Sequence, residues 1–204
     1  VPNAQNGLSG IRFTVTGGSG TPLSTPLTYP ITNFSTVNAN NEYTIITVFK
    51  QATFASDQTI SNIIAVSGPA RLTSYTDTFS YQSLVGGQTK NYTASVNGQT
   101  YITAHYRRGN ILYTRVNGST DSGSTTSGTN LVIPNPLGGL SVTLGGYRSG
   151  LPSTTPFAGD IYEHIIFRYA LTDQVMFQLE GYLAWKWGIQ RSLPTTHPYY
   201  RIRP

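Results

Sequence analysis

No cysteine occurs in the 204 residues, which excludes a disulfide framework, a thiolate metal site and a thiol nucleophile, and leaves the redox compartment open. No apolar run approaches the ~18 residues that cross a bilayer, so no membrane span is expected. The start Val1-Pro2-Asn3 has neither Met nor the apolar stretch of a secretory leader, as expected of a piece cut from a longer chain. Charge is scarce too: 13 Lys plus Arg face 8 Asp plus Glu, and the net +5 reflects few acids more than many bases. The cations come close only at Arg107-Arg108 and Arg201-x-Arg203, so no basic stripe is formed and nucleic acid is not an expected partner. Polarity comes instead from Ser, Thr and Asn, a composition common on extracellular or virion surfaces.

Several chemistries lack their residues. A glycosidase needs two carboxylates addressing one cleft, and the nearest approach is Asp160-Ile-Tyr-Glu163. In a regular strand, residues three apart point to opposite faces, so these two are not expected to share a sugar. The other acids, Glu42, Asp57, Asp77, Asp121, Asp173 and Glu180, stand singly. His105, His164 and His197 show no ligand spacing and are read as packed or hydrogen-bonded, His197 fixing the segment after the C-terminal helix. No G-x-S-x-G elbow is present, and Gly17-Gly-Ser-Gly20 lacks the Lys and helix of a phosphate loop. The chain is therefore expected not to be an enzyme. Sequons at Asn33, Asn91 and Asn117 are no more than a Ser/Thr-rich chain gives by chance.

What the chain has is turn chemistry and strands. There are 21 Gly, 12 Pro and 14 Tyr, fitting short strands with frequent turns. Ile11–Val15 is expected at a sheet edge, followed by a long Pro-containing loop. Tyr43–Lys50 has Ile46 and Val48 on one face and Ile45, Thr47 and Phe49 on the other, so it is expected at the centre of a sheet. Ile60–Val66 and Ala70–Thr73 flank the turn Gly68-Pro69, and an alternating Tyr-rich run over 75–85 ends at Gly86-Gly87. Tyr92–Val96 and Thr100–Tyr106 around Asn97-Gly98 read as the clearest hairpin, since Asn-Gly supplies two positive φ angles. A second hairpin joins 101–107 to Ile111–Val116 through Arg108-Gly109-Asn110, then meets another Asn-Gly at 117 and 118. The repeated Val-Asn-Gly is recurrent turn chemistry rather than an internal repeat. Residues 119–130 are low in complexity and expected to form a mobile loop. Residues 131–150 should add one or two strands, and 151–157 a loop.

One helix closes the pattern. After the buried-strand run Ile161–Phe167, Thr172 and Asp173 offer a cap and a favourable charge at a helix start, although Val175 stands where a capping box would place Glu or Gln. Met176, Leu179, Leu183 and Trp187 recur at three- and four-residue spacing and must be buried. Gly188 suits the C′ position, and Pro194 and Pro198 prevent resumption. Trp185 and Trp187 are read as core.

The run GDIYEHIIFRYALT, with EGYLAWKWG and LPTTHPY after it, resembles the C-terminal end of laminin-G-like, concanavalin A-type jelly-roll domains, of the kind found in structural and adhesive proteins of large DNA viruses, marine phages and bacterial surfaces. Tyr43–Lys50, Ile111–Gly118 and Val142–Gly146 resemble the family's other strands in the family's order, so the resemblance covers roughly residues 43 to 198. It implies an all-β, antiparallel two-sheet jelly roll with one C-terminal α-helix. A single domain over 1–204 is expected: edge strand and loop over 1–42, core strands over 43–170, helix over 171–188 and an extension over 189–204. The acids that bind calcium or catalyse in relatives have no counterpart here. Calcium itself is carried over as a candidate ion, with Asp77 and Asp121 in loops with suitable oxygen neighbours as its candidate ligands.

The resemblance implies a non-catalytic recognition or adhesion module of a larger surface or virion protein, contacting a glycan or neighbouring protein subunits; a purely architectural role in a capsid or fibre is the other reading. With Leu112 and Val116 turned to the core, Tyr113 and Arg115 turn outward, joined by Tyr101, His105 and Arg107. This polar, aromatic face is either the expected ligand surface or a solvated outer sheet or subunit contact.

Overall fold

The computed structural model describes residues 1–14, 27–31, 42–52, 58–65, 71–77, 80–85, 88–93, 98–109, 111–120, 124–125, 140–145 and 155–204. The runs of β-branched and aromatic residues become strands: β1 (Ile11–Phe13), β2 (Leu27–Ile31), β3 (Tyr43–Gln51), β4 (Gln58–Ala65), β5 (Arg71–Asp77), β6 (Ser80–Val85) and β7 (Gln88–Thr93). They continue as β8 (Thr100–Arg108), β9 (Ile111–Val116), β10 (Ser119–Thr120), β11 (Ser124–Thr125), β12 (Leu140–Leu144), β13 (Thr155–Pro156) and β14 (Gly159–Phe167), before helix α1 (Asp173–Lys186). Two seven-stranded sheets result, with orders β1-β14-β3-β8-β9-β10 and β2-β12-β4-β5-β6-β7; β11 also pairs with β9, and β13 with β4. Pairing is antiparallel except between β13 and β4. The chain is thus the expected two-sheet sandwich with one C-terminal helix.

β3 is central, between β14 and β8, and buried on both faces. Ile46 and Val48 meet the helix side, whereas Phe49 turns inward, 6.2 Å from Tyr101 and 5.8 Å from Phe157 between ring centroids. β1 lies at the sheet edge as read, and β6 pairs with β7, Val85 opposite Gln88, while Gly86-Gly87 lies outside the described residues.

Three expectations change. β7 and β8 belong to different sheets, so Asn97-Gly98 does not close a hairpin: β8 pairs with β3 and β9, and the chain crosses from one layer to the other before residue 100. The Asn-Gly that does close one is at 117 and 118, with φ of 49° and 79°, the pair a type I′ turn demands. The stretch read as a mobile loop over 119–130 contains β10 and β11, both on β9; its residues 121–123 and 126–130 lie outside the described residues. Finally, β14 carries a bulge at Tyr162. Asp160 pairs with Lys50 and Glu163 with Val48, and since Lys50 and Val48 share a face of β3, Asp160 and Glu163 share one too. The period-two expectation for these acids fails because one residue is inserted between them.

Helix α1 is shorter than the 171–188 expected, and both its caps are those foreseen. Thr172 accepts from the Val175 amide at 3.4 Å. At the other end Ile189 N–H reaches Ala184 O at 2.8 Å and Gly188 N–H reaches Trp185 O at 3.4 Å, with Gly188 at φ 71°, a Schellman motif. The remaining carbonyls are taken by the N-terminal segment: Gln5 Nε2 donates to Trp187 O at 2.9 Å and Asn6 Nδ2 to Lys186 O at 2.8 Å. Met176, Leu183, Ala184 and Trp187 pack on Ile46, Val48, Ile102, Ala104, Tyr106 and Tyr162. The helix thus covers the outer face of the first sheet, and Tyr162 stacks on Trp187 with centroids 4.9 Å apart.

Candidate functional site

The hairpin β8–β9 decides where the expected ligand residues go. Its two-residue connection pairs Arg108 with Ile111, so Tyr106 lies opposite Tyr113 and Ala104 opposite Arg115. Directly opposed residues share a face. Tyr113 and Arg115 therefore turn away from the sandwich interior, as expected, but under helix α1 rather than into solvent. Tyr101, His105 and Arg107 alternate with Ala104 and Tyr106 and point to the interior between the sheets. The five residues are split over two faces, and Tyr101, His105, Arg107 and Arg115 are all buried; the outward face expected of them is not formed. Asp77 is the last residue of β5 rather than a loop residue, paired with Ser80, and Asp121 lies outside the described residues. Among the described residues no group of three or more His, Asp or Glu is arranged to hold a metal ion.

Arg115 makes a buried structural pair that the sequence reading missed. Its Nε and one Nη donate to the two carboxylate oxygens of Glu180 at 2.7 and 2.8 Å, with side-chain exposures of 4% and 1%. The same Nη donates to Gly118 O at 2.9 Å, the guanidinium lies 5.1 Å from the Phe177 ring centre, and His197 Nε2 sits 3.5 Å from Glu180. Burial disfavours the Arg115 charge, and the hydrogen bond and charge of Glu180 outweigh it, leaving its pKa raised. Sheet, helix and C-terminal segment are locked together here. His197 also accepts from the Tyr199 amide at 3.2 Å, so it does fix the segment after the helix.

The interior carries a second polar layer. His164 Nδ1 lies 2.9 Å from Thr47 Oγ1, and His105 Nδ1 3.2 Å from Thr114 Oγ1. Burial lowers both imidazoles to a pKa of about 4, with the His164 charge adding to the effect on His105. They are neutral at pH 7.

Four further carboxylates, those of Glu163, Asp173, Glu42 and Asp160, are occupied by donors. Glu163 accepts from Lys186 Nζ at 3.0 Å and from the Trp187 indole at 2.8 Å. Asp173 accepts from Arg108 at 2.9 Å and Glu42 from the Gly109 amide at 2.7 Å. Asp160 takes Arg12 in a bidentate pair, Nε at 2.7 Å and Nη2 at 3.0 Å, which raises the Arg12 pKa. So although the bulge sets Asp160 and Glu163 on one face, each is committed to its own cation.

One described cleft is open to solvent. It has a volume of about 540 Å³ and lies at the end of the first sheet where β1, β14 and β3 meet, with Arg12, Lys50, Asp160 and Thr14 as polar walls and Gly98 and Gly159 as backbone walls. Cross-strand register aligns its charges: Arg12 is opposite Asp160, and Asp160 is opposite Lys50. Gly159 is required there, because a Cβ at that position would come 2.2 Å from Lys50 O. Nothing in the sequence joins residues 12, 50 and 160; only the strand order does.

No protein-family model matches the chain, and no curated protein sequence matches it. Solved structures do. The CBM40 module of the Ruminococcus gnavus IT-sialidase bound to α2,3-sialyllactose is 18% identical at a TM-score of 0.61, over 81% of this chain and 93% of that one. The Trypanosoma rangeli sialidase in complex with sialic acid is 16% identical at 0.59, over 91% of this chain. The leech intramolecular trans-sialidase is 17% identical at 0.55, over 72% of it. The chain spans only 29% and 26% of those two sialidase chains. At such identities the likeness is one of fold: a two-sheet β-sandwich similar to that of the CBM40 module and of part of each sialidase chain.

Proposed function

We propose that this chain is a non-catalytic glycan-recognition module of a larger extracellular or virion-surface protein. The observation that carries the reading is the fold-level fit to a module bound to sialyllactose, over 81% of this chain and 93% of that one. Two features of the chain itself support it. Glu42, Asp160, Glu163, Asp173 and Glu180 are each held by a cation or an N–H donor, which leaves no proton-shuttling pair among these five. And the open cleft at the end of the first sheet presents cationic and hydroxyl groups over a backbone floor, the shallow polar setting in which sugar hydroxyls and acids are gripped. A glycan array probed with the purified chain, with and without calcium, tests the reading. Reproducible signal on a glycan subset is expected, and signal that needs calcium would add a metal, with Asp121 as a candidate ligand. A flat array under both conditions would leave the architectural role, whose mark is self-association in solution.

A further inference from the structure

We propose that the cleft formed by Arg12, Asp160 and Lys50 binds the carboxylate of an acidic sugar; this deepens the glycan-recognition reading and rests on it. Three charged residues stand in one cross-strand row on one face of the sheet: Arg12 on β1, Asp160 on β14 and Lys50 on β3. The row holds two cations and one anion, so it carries one positive charge in excess. That excess suits a monoanion; a doubly charged phosphate would leave the row negative.

The order of the row assigns roles. Asp160 is 9% exposed at its side chain and uses both oxygens on Arg12, whose own side chain is 52% exposed. Its guanidinium is thereby held in a fixed plane by Nε and Nη2, and the hydrogens of Nη1 remain to be offered to a ligand. Lys50 is opposite Asp160 on the other side, and among the described residues no carboxylate lies within ion-pair distance of its amine. Strands two apart in a sheet stand roughly 10 Å apart, a gap that an Arg and a Lys side chain can close onto one carboxylate. The volume of about 540 Å³ takes a monosaccharide ring and part of a neighbour. Gly98 and Gly159 bare the backbone around the ring, and the Thr14 hydroxyl is at hand for a sugar hydroxyl. Arg12 reads the carboxylate, Lys50 supplies the charge, and Asp160 positions Arg12.

The test is calorimetric titration of the chain with 3′-sialyllactose, with digalacturonate and with lactose as the neutral control, on the wild type and on Lys50→Gln, Lys50→Glu and Lys50→Arg. Lys50 is half-buried and makes no ion pair among the described residues, so these variants should keep the wild-type melting temperature. The expected result is binding of one or both acidic sugars, none of lactose, a loss of roughly tenfold or more in Lys50→Gln, a larger loss in Lys50→Glu, recovery in Lys50→Arg, and weakening with added salt. Which acidic sugar binds names the source of the carboxylate. Amide shift mapping should place the perturbed resonances at Ala52, Gly98 and Gly159. Acidic sugars that bind with unchanged affinity in Lys50→Gln and shift amides elsewhere would overturn the site while leaving glycan recognition standing. Lactose bound as tightly as sialyllactose would overturn the acid selectivity. A flat array with no titration heat from any sugar would remove the recognition reading and this site together.

Discussion

At the scale of single residues, Arg115 on β9 and Glu180 on helix α1 tie the helix to the first sheet. A bidentate pair this deeply buried costs more to break by halves than to remove whole. Arg115→Met alone should lower unfolding free energy by about 3–5 kcal/mol by stranding the Glu180 charge, whereas Arg115→Met with Glu180→Leu should cost less than either single change; urea denaturation of the three variants checks it. The pair was legible in principle. A two-residue hairpin loop pairs each odd-numbered residue of one strand with an even-numbered one of the other, so Tyr113 and Arg115 had to lie with Tyr106 and Ala104, not with His105 and Arg107. Only the partner, Glu180 on a face otherwise lined by Met176 and Leu183, left no trace in the periodicity. The histidines give a second prediction. Their folded pKa of about 4 lies below the ordinary 6.5, so between those values the unfolded chain binds protons that the folded chain does not. Stability is therefore full above pH 6.5 and falls as pH drops toward 4, by up to about 1.4 kcal/mol per pH unit for each ring. Denaturation midpoints at pH 7, 6 and 5 should show that slope, and His164→Gln should remove about half of it.

Among the elements, helix α1 was the most readable because caps are local chemistry: Thr172, Gly188 and the flanking prolines announce its ends without knowledge of the rest. Gly188→Ala should cost roughly 1–2 kcal/mol, since φ of 71° must be kept by a residue with a Cβ. Two glycines test the turn assignments against each other. Gly98 and Gly118 both have positive φ, but a Cβ at 98 meets nothing within 4 Å, while one at 118 lies 2.8 Å from His197 Cδ2. Gly118→Ala should therefore lower the melting temperature further than Gly98→Ala, and equal losses would contradict the role given to the Asn117-Gly118 turn. The same comparison explains the misplaced hairpin. Asn-Gly states that the chain reverses there, but whether it reverses within a sheet or between sheets depends on the partners of β8, which lie fifty residues upstream and a few residues downstream. The bulge at Tyr162 was equally hidden, because an inserted residue leaves no local mark in a run of apolar side chains.

For the whole molecule, the layered architecture followed from many short strands and one amphipathic helix, a combination with few packed solutions. The site did not follow, because a cleft at a sheet end is made by strand order, and Arg12, Asp160 and Lys50 are far apart along the chain. In the proposed role, a sandwich with a helix on its outer face presents a surface to a glycan and does no chemistry on it. The measurement that tests this most directly is saturation-transfer NMR of 3′-sialyllactose with the purified chain, followed by a second spectrum of the trisaccharide after prolonged incubation. The account predicts saturation transferred to the sugar protons and a trisaccharide that is chemically unchanged. No transfer, or the appearance of free lactose, would contradict it.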